Sequence, residues 1–335
     1  MAEVRAAIIG SGGMAYARAA HLAGTTTARL ACISSRNHVT GATLAARNDV
    51  PFVEAWQAAV QRDDVDAVFV TTHNDSHAPI AQAALEAGKH VFVEYPLALT
   101  LADADQMIAT AAARQVVLQV GHDQAFVGWQ LAIKEQSQDL GQLQAMTSVL
   151  CTPSRGGGRS VWRSLAVSGP PLMVGIAYVY HLLDTFGDAE WVEGTAQYQT
   201  LEDENYYRAC TSTMMMQLAD GGVAHVLYVR GFAVPRDEQE QAMVFDRGFL
   251  SFRGYESGSP TNAGQLIRVT QAGSAPVSFP NVQLGQASRR NTENFLASVL
   301  NGAPVDPPVR LARQAIAVAL AQDEAARSGR RVPIR

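Results

Sequence analysis

A short segment directly after the first apolar run of the chain has the residue types and spacing of a phosphate-binding loop. The segment reads, in order, Gly10, Ser11, Gly12, Gly13, Met14 and Ala15. In such a G-x-G-x-x-A loop the first glycine permits a tight turn, the second lets a diphosphate approach the backbone, and the alanine lets helix and strand pack closely. The phosphates would lie at the positive end of the following helix. The pattern therefore predicts a dinucleotide cofactor, and a purely structural glycine turn is the alternative.

The end of the second apolar run bears on which dinucleotide is selected. An NAD-specific fold usually has an acidic side chain there, which accepts hydrogen bonds from the ribose hydroxyls. This chain has Ser34, Ser35 and Arg36 instead. Hydroxyls and a guanidinium suit a 2′-phosphate. We therefore expect NADP(H) to be preferred, with NAD(H) possible. The alternative is that Arg36 is a solvated residue at the start of a helix.

A hydride acceptor that becomes anionic needs a proton donor, and lysine is scarce in this chain. Lys89 and Lys134 are its two lysines, against 24 arginines. Lys89 precedes a predicted strand, and Lys134 lies in a helical segment whose polar spacing indicates a surface position. Tyr95 instead follows a predicted strand, at the carboxyl end where ligands bind such sheets. Because the pKa of tyrosine is about 10, Tyr95 would be a neutral donor or an orienting group; a ring that packs under the nicotinamide is the alternative.

An apolar helical segment carries a second candidate for proton transfer. His181 titrates near working pH, since its unperturbed pKa is about 6.5. Tyr178 and Thr185 share its face at helical spacing, and Asp184 is close enough along the helix to orient the ring. A buried core histidine is the alternative for His181. The predicted catalytic residues are therefore Tyr95, Tyr178, His181 and Asp184.

Other polar residues are expected to line the bound cofactor or substrate. Those predicted along the cofactor, from the loops after two strands, are Thr71, Thr72, His73, Asn74, His77, Glu94, Tyr95 and Pro96. For His77 a helix-cap role is the alternative. His122 lies at the predicted domain junction and could line the cleft. Arg155, Arg159 and Arg163 flank a glycine loop that could close on carboxylates; a mobile solvated loop is the alternative.

The first 120 residues alternate short apolar runs with helical patterns, as in parallel strands joined by crossover helices. Strands are predicted at 4–9, 29–33, 67–71, 90–93 and 116–120, and helices at about 13–23, 38–48, 76–87 and 101–115. Nearly every strand residue is apolar, so both faces of the sheet should be covered. The fold class predicted for residues 1–122 is an α/β Rossmann domain with a doubly wound parallel sheet.

The pattern changes after residue 122. A helix to about 138 precedes alternating segments typical of an antiparallel sheet, at 142–151, 192–200, 207–218, 222–231, 241–246 and 249–253. Further helices are predicted near 171–186, 288–300 and 309–328. Residues 123–335 are therefore predicted to form an α+β domain with a large, open, mostly antiparallel sheet for substrate binding and oligomerisation. Its last helix could pack back on the first domain.

Composition excludes several classes of protein. The 335 residues carry a net charge of −5 without blocks of one sign, which argues against nucleic-acid binding. No apolar run approaches the roughly 18 residues of a membrane span. The three cysteines are far apart, and the eight histidines lack metal-ligand spacing, so no metal is predicted. We expect a cytoplasmic protein.

Three segments together are similar to one known family: residues 10–15, residues 70–77 and residues 87–97, the last reading AGKHVFVEYPL. The chain resembles the family of glucose-fructose oxidoreductase, inositol dehydrogenase and MocA (Gfo/Idh/MocA) over essentially its whole length. In that family the third segment normally contains Glu-Lys-Pro, whose lysine assists proton transfer at the substrate oxygen. Here Tyr95 occupies the lysine position. The resemblance also implies that His77 lies beside the cofactor.

The sequence Glu-Tyr-Pro followed by Leu-Ala-Leu-Thr resembles the biliverdin reductase-like branch of this family, the microbial type most closely. Residues 169–172, 185–187 and 206–210 agree with that branch. This resemblance implies NADPH-dependent reduction of a linear tetrapyrrole at its central bridge carbon. Sugar-type members carry an Asp, a His and a second Asp on the substrate-domain helix, where this chain has Ala177, His181 and Asp184. Biliverdin reductases tend to place arginines there, where this chain offers Tyr178 and His181.

The primary hypothesis is therefore an NADPH-dependent reductase that transfers hydride to a linear tetrapyrrole. One alternative is a sugar, cyclitol or dihydrodiol dehydrogenase in which Tyr95 replaces the usual lysine. Another is a non-catalytic, nucleotide-binding regulatory protein, suggested by the missing lysine and by Ala177. The expected partners are a small-molecule substrate and further copies of the chain, paired through the second domain's sheet, with no nucleic acid and no membrane.

Overall fold

A computed structural model describes residues 3–154, 160–200, 205–233, 237–254 and 264–335. The chain divides into two compact units. The first unit comprises Met1–Asp123 with Gly285–Arg313, and the second comprises Gln124–Leu284 with Gln314–Arg335. The sequence assigned residues 285–313 to the second domain. They form part of the first unit because Phe295 packs edge-on against Phe69 and Phe92, with ring centroids 5.3 and 5.6 Å away.

The first unit is built on a six-stranded sheet whose paired strands are all parallel, in the order β3-β2-β1-β4-β5-β6. Its strands are β1 (Val4–Ile9), β2 (Ala28–Ser34), β3 (Phe52–Val53), β4 (Ala67–Val70), β5 (His90–Val93) and β6 (Leu118–Val120). This strand order is that of a doubly wound dinucleotide-binding sheet, which confirms the predicted fold class. Strands β1 and β4 are almost fully buried, as their apolar sequences require.

The crossover helices of this unit begin close to the predicted residues. They are α1 (Gly13–Ala23), α2 (His38–Arg47), α3 (Trp56–Val60), α4 (His77–Glu86) and α5 (Leu101–Arg114). Side chains of Asn37 and Thr100 accept hydrogen bonds from backbone N–H groups in the first turns of α2 and α5, which fixes where those helices start. The sequence missed β3 and α3, because a two-residue strand and a five-residue helix show no periodicity.

The second unit contains a nine-stranded sheet in the order β14-β13-β12-β11-β7-β10-β9-β8-β15. Its strands are β7 (Leu143–Pro153), β8 (Ala189–Thr200), β9 (Tyr207–Leu218), β10 (Val223–Phe232), β11 (Glu238–Phe245), β12 (Gly248–Gly254), β13 (Gln265–Thr270), β14 (Gly273–Val277) and β15 (Val332–Pro333). Only the β7–β10 pair is parallel among the pairs within the described residues. The predicted mostly antiparallel sheet is confirmed, and the sequence missed β13, β14 and β15.

The remaining helices are α6 (Gly128–Leu140), α7 (Leu165–Ser168), α8 (Pro171–Val174), α9 (Ile176–Phe186), α10 (Leu284–Asn301) and α11 (Val309–Ser328). The single helix predicted near 171–186 is wrong, because the backbone breaks at Gly175 between α8 and α9. A Cβ at Gly175 would lie 3.0 Å from the ring of Tyr228, so the break lets this backbone pass close to β10. Within the described ranges, no helix has the length and apolar character needed to cross a membrane.

Candidate active site

The glycine loop begins where β1 ends, at a position that only glycine tolerates. Gly10 has a φ of +133°, and a Cβ there would lie 2.4 Å from the carbonyl oxygen of Thr71. A side chain at this position would therefore collide with the loop after β4. The hydroxyl of Thr71 donates to the carbonyl of Ile9 at 3.0 Å, which fastens the two loops together.

The start of α1 faces open space. A Cβ at Gly12 or Gly13 would meet no atom within 4 Å, and no side chain caps the helix. The first-turn N–H groups of α1 and its positive dipole end are therefore available to an anion, with no acidic residue in that turn to repel it. Ala15 is fully buried under the loop and Met14 is partly exposed. The residues fit the diphosphate of a dinucleotide, as the sequence motif predicted.

Beside this loop, three hydroxyl side chains meet at the carboxyl end of β2. Ser11 Oγ lies 2.7 Å from both Ser35 Oγ and Thr40 Oγ1. The sequence analysis did not predict Thr40 as part of this cluster. The backbone N–H of Thr40 donates to the Asn37 side chain at 3.2 Å, and this bond holds Thr40 in the first turn of α2. The exposed guanidinium of Arg36 stands in the same loop. No carboxylate occurs between residues 34 and 40, so this corner suits an anionic group.

Arg36 is partly fixed by a neighbour from the loop after β4. Its Nη2 atom lies 3.3 Å from Nδ1 of His73. Two predicted cofactor residues are thus brought together at the strand ends. Ser34, by contrast, is 1% exposed, and its hydroxyl has no hydrogen-bond partner among the described residues.

His77, the first residue of α4, is fully buried between two loops. Its Nδ1 lies 2.7 Å from the carbonyl oxygen of Pro96, and its Nε2 lies 3.2 Å from that of Thr72. Burial lowers the pKa of His77, although both carbonyls favour the charged ring. A neutral ring donates through one nitrogen only, and the shorter distance marks Nδ1 as the donor. His77 thus ties together the loops after β4 and β5, where Asn74 is also buried.

A buried ion cluster surrounds Glu94, the residue that follows β5. Arg18 is completely buried in α1, and its Nε donates to Glu94 Oε1 at 2.8 Å while its Nη2 donates to both carboxylate oxygens of Asp123 at 2.9 and 3.0 Å. Burial raises the pKa of Glu94 to about 7; Arg18 opposes that rise and Asp123 adds to it. A carboxylate so placed can accept a hydrogen bond or hold a proton at neutral pH.

The cluster extends into α10. Arg18 Nη1 donates to the carbonyl of Ser288 at 2.7 Å and to the hydroxyl of Thr292 at 3.0 Å, and Asn291 Nδ2 donates to Asp123 at 2.9 Å. The sequence missed Arg18, Asp123 and these α10 residues. The burial of Arg18 could have been predicted from its position, because helical spacing places it on the same face of α1 as the buried Ala15 and Leu22.

Tyr95 and His122, predicted separately from the sequence, are brought together. Their rings stack with centroids 5.6 Å apart and planes 8° apart. His122 is 1% exposed, and burial lowers its pKa to about 3. The imidazole is therefore neutral at working pH, and the half-buried Tyr95 ring carries its hydroxyl at the carboxyl end of β5.

In the second unit, His181 lies on α9 and is 3% exposed. Burial, and to a smaller extent the charge of Lys134, lowers its pKa to about 3. Trp129 packs edge-on against the ring, with centroids 5.4 Å apart, and it also stacks on Phe252 with centroids 4.3 Å apart. Thr185 Oγ1 lies 3.4 Å from His181 Nδ1. The expected shared face of His181 and Thr185 is confirmed by this contact.

One expectation around His181 is corrected, and the expected surface position of Lys134 is confirmed. Asp184 was expected to orient the His181 ring, but its carboxylate instead accepts a hydrogen bond from Lys134 Nζ at 2.8 Å. Lys134 was expected to be a surface residue, and its side chain is 42% exposed; it also forms this ion pair between α6 and α9, and its charge is close enough to affect His181. Tyr178, the other predicted catalytic residue of α9, is half-buried.

Of the three arginines predicted to bind carboxylates, the structure describes only Arg163. Arg155 and Arg159 lie outside the described residues. Arg163 is 7% exposed and donates to the carbonyl of Arg208 at 2.8 Å, with its guanidinium 5.6 Å from the ring centroid of Tyr206. Its position therefore depends on the second unit's own sheet. In the part of the chain that the structure describes, no three His, Cys, Asp or Glu residues cluster as metal ligands would.

Comparison with solved structures shows close similarity of fold. Biliverdin reductase from Synechocystis sp. PCC 6803, in complex with biliverdin and NADP+, is 26% identical; the match has a TM-score of 0.87 and covers 96% of this chain and 98% of that one. Levoglucosan dehydrogenase in complex with NADH is 17% identical, with a TM-score of 0.85 and 99% of both chains covered. At that lower identity the likeness concerns the fold alone.

Sequence comparison also finds similarity to oxidoreductases, over shorter parts of the chain. The dTDP-3,4-didehydro-2,6-dideoxy-alpha-D-glucose 3-reductase of Streptomyces antibioticus is 30% identical over 146 residues, which are 43% of this chain and 44% of that protein. The match thus spans less than half of the relative's length. Residues 4–122 match the model of the family GFO_IDH_MocA, described as an oxidoreductase family with an NAD-binding Rossmann fold. Over this segment, the chain is similar to the Gfo/Idh/MocA oxidoreductase family.

Proposed function

We propose that this protein is an NADPH-dependent oxidoreductase that reduces a linear tetrapyrrole of the biliverdin type. The observation that carries the proposal is the similarity to Synechocystis biliverdin reductase over nearly the whole of both chains, at 26% identity and a TM-score of 0.87. Tyr95 in the Glu-Tyr-Pro segment supports it, because the lysine expected of sugar-type members is missing at that position.

The first unit would hold the cofactor through groups already described. The open start of α1 receives the diphosphate, and Arg36 with the hydroxyls of Ser35 and Thr40 receives a 2′-phosphate. When bound, the dinucleotide supplies the hydride. A phosphate gains charge-assisted hydrogen bonds from a guanidinium, which an unphosphorylated ribose cannot gain to the same degree. This asymmetry supports NADP(H) over NAD(H).

The proton chemistry would fall to tyrosine and histidine. Tyr95 has a hydroxyl at the carboxyl end of β5, held by its stack on His122. His181 has a buried ring whose Nε2 is without a partner among the described residues. Each can donate a proton while uncharged. A neutral donor suits an acceptor that gains negative charge as hydride arrives.

A direct assay tests the proposal. Purified protein is mixed with NADPH and biliverdin, and the absorbance spectrum is followed. We expect NADPH to be consumed as a bilirubin-like spectrum appears, and we expect Gly10→Val to abolish both changes, because its side chain would collide with Thr71. Absence of any spectral change with the unmodified protein between about pH 5 and pH 8 would exclude bilin reduction.

A second candidate is a reductase or dehydrogenase for sugars, cyclitols or dihydrodiols. The 30% identity to a nucleotide-sugar 3-reductase over 146 residues favours it. In that case a polyhydroxylated compound would reduce NADP+ in the presence of the protein, while biliverdin would neither bind nor react. A panel of such compounds, read by NADPH absorbance, separates the two candidates.

Self-association is also proposed, through the second unit's sheet. On β10 the residues alternate between buried and more exposed positions, so one face of the strand packs inside the unit and the other remains accessible. Val244 of β11 is 44% exposed on that sheet. Light scattering of the protein and of Val244→Glu tests this: the proposal requires an oligomer that the substitution weakens.

A further inference from the structure

The two ring nitrogens of His181 lie in different surroundings. Nδ1 is 3.4 Å from Thr185 Oγ1. Nε2 is buried and has no hydrogen-bond partner among the described residues. A buried nitrogen without a partner is energetically costly, so Nε2 marks the side of the ring at which a ligand group would bond.

Thr185 connects this buried ring to the surface of the second unit. It lies one helical turn after His181 on α9, and it also lines an open groove at the end of that helix. The groove is lined by further polar side chains, among them Ser137, Gln138, Gln142 and Asp220. A threonine hydroxyl both donates and accepts a hydrogen bond. Thr185 can therefore take a proton from solvent in the groove on one side and give one to His181 on the other.

We propose that Thr185 and His181 form a proton relay from the groove to the substrate. The relay rests on the proposed reductase function. In the resting state the Thr185 hydroxyl donates to Nδ1, which places the ring proton on Nε2. Thr185 is thus a positioning residue, and His181 is the group that would touch the substrate.

The proton and electron balance of the step is complete. Hydride adds to the substrate carbon with its electron pair, and the Nε2–H proton moves to the substrate atom that gained negative charge. Nδ1 takes the hydroxyl proton of Thr185, and Thr185 Oγ1 takes a proton from groove solvent. After the product leaves, solvent returns a proton to Nε2, Nδ1 passes its proton back to Thr185 Oγ1, and Thr185 releases a proton to groove solvent. The full cycle thus takes up one solvent proton and restores the resting tautomer.

The relay does not require the His181 ring to be charged at rest. Burial holds the pKa of His181 near 3, so a stored imidazolium is not accessible at neutral pH. The charged groups near the ring are Lys134 from α6 and Asp184 from α9, and they pair with each other at 2.8 Å. Helix α6 also contributes the neutral Trp129, which packs edge-on against the ring. Only Thr185 hydrogen-bonds Nδ1 among the described residues.

The test is a measurement of the tautomer by NMR on the full-length, unliganded protein with ¹⁵N-labelled histidine. His181→Gln assigns the signal. We expect the proton on Nε2 in the unmodified protein and in Thr185→Ser. We expect the Nδ1–H form to appear in Thr185→Val, which keeps the shape of threonine but lacks the donor. A proton on Nδ1 in the unmodified protein, or an identical spectrum in Thr185→Val, would overturn the relay.

Kinetics with NADPH and biliverdin give a second measurement. Thr185→Val should lower kcat by roughly 10- to 100-fold, a part of what proton transfer contributes, and leave the KM for NADPH unchanged. Thr185→Ser should restore most of the rate. If the unmodified protein does not turn over biliverdin, the proposed function fails, and the NMR result still decides whether Thr185 sets the tautomer of His181.

Discussion

The ring of Tyr95 lies parallel to the imidazole of His122, with planes 8° apart and centroids 5.6 Å apart. The sheet register explains the stack. Val93 of β5 pairs with Val120 of β6, and each ring belongs to the second residue after its strand partner. Because the carboxyl ends of parallel strands meet at one sheet edge, equal offsets place the two side chains together. The ring that replaces the expected lysine is therefore held by the neighbouring strand.

Tyr95→Phe separates the hydroxyl from the ring. The variant keeps an aromatic surface for His122, so the fold and the affinity for NADPH should be unchanged. If the hydroxyl supplies a proton, kcat with biliverdin should fall by roughly 10- to 100-fold. Steady-state kinetics and NADPH titration measure the two quantities separately. Unchanged kcat in Tyr95→Phe, together with a loss in Tyr95→Ala, would limit the residue to packing.

His122→Phe tests the pH dependence of stability. The pKa of buried His122 is about 3, below its ordinary value of 6.5. The unfolded state therefore binds a proton more readily, and the stability that His122 provides is present above pH 6.5 and is lost as the pH falls toward 3. The variant keeps a ring against Tyr95 and should lose less stability across this window. Urea unfolding at several pH values measures the slope.

The matched control for this experiment is His38→Gln. His38 is exposed at the start of α2 in the first unit, outside the sheet proposed for self-association. The control should keep the pH slope of the unmodified protein. An identical slope in His122→Phe and the unmodified protein would contradict the effect assigned to burial of His122.

Much of the first unit could be predicted because its signals are local. An apolar strand, a glycine loop and a capped helix each occupy a few consecutive residues, and α1 and β5 have the predicted bounds. Tyr95 could be singled out by its place after a strand. The second unit's alternating strands were located for the same reason, and β9 spans the predicted residues.

The missed features depend on contacts between distant parts of the chain. Arg18 is separated by 105 residues from Asp123 and by 270 from Ser288, and no local pattern links them. The Lys134–Asp184 pair, 50 residues apart, likewise arises because α6 packs beside α9. A polar helix residue such as Lys134 has the same sequence pattern whether it faces water or a carboxylate on a neighbouring helix.

Arg18→Leu should strongly destabilise the protein. The substitution leaves Glu94 and Asp123 buried without their shared cation, and breaking a buried pair in this way costs roughly 3–5 kcal/mol of unfolding free energy. Arg289→Leu, which removes the exposed pair with Glu293 on α10, should cost under about 1 kcal/mol. Chemical denaturation compares the two. Equal losses would mean that the buried cluster contributes no more than a surface pair.

Arg36→Ala should change the cofactor preference. The loss of a charged hydrogen bond to a 2′-phosphate is worth roughly 1.5–3 kcal/mol, or about a 10- to 100-fold increase in the Kd for NADPH. The Kd for NADH should change little, because its ribose lacks that phosphate. Arg47→Ala, at the other end of α2, is the control and should alter neither value. Equal weakening of both dinucleotides by Arg36→Ala would refute the phosphate contact.

Lys134→Met should raise the pKa of His181. The Lys134 ammonium opposes a second positive charge nearby, so its removal takes away one cause of the lowered pKa, while burial, the larger cause, remains. Freed from Lys134, Asp184 can also interact with the protonated ring. The other lysine provides the control: Lys89 Nζ donates to the carbonyls of Arg62 and Val65 in the first unit, so Lys89→Met should leave His181 unchanged. NMR titration of His181 in the unmodified protein and the two variants measures the effect. An unshifted pKa in Lys134→Met would show that the ion pair between α6 and α9 has no influence on the ring.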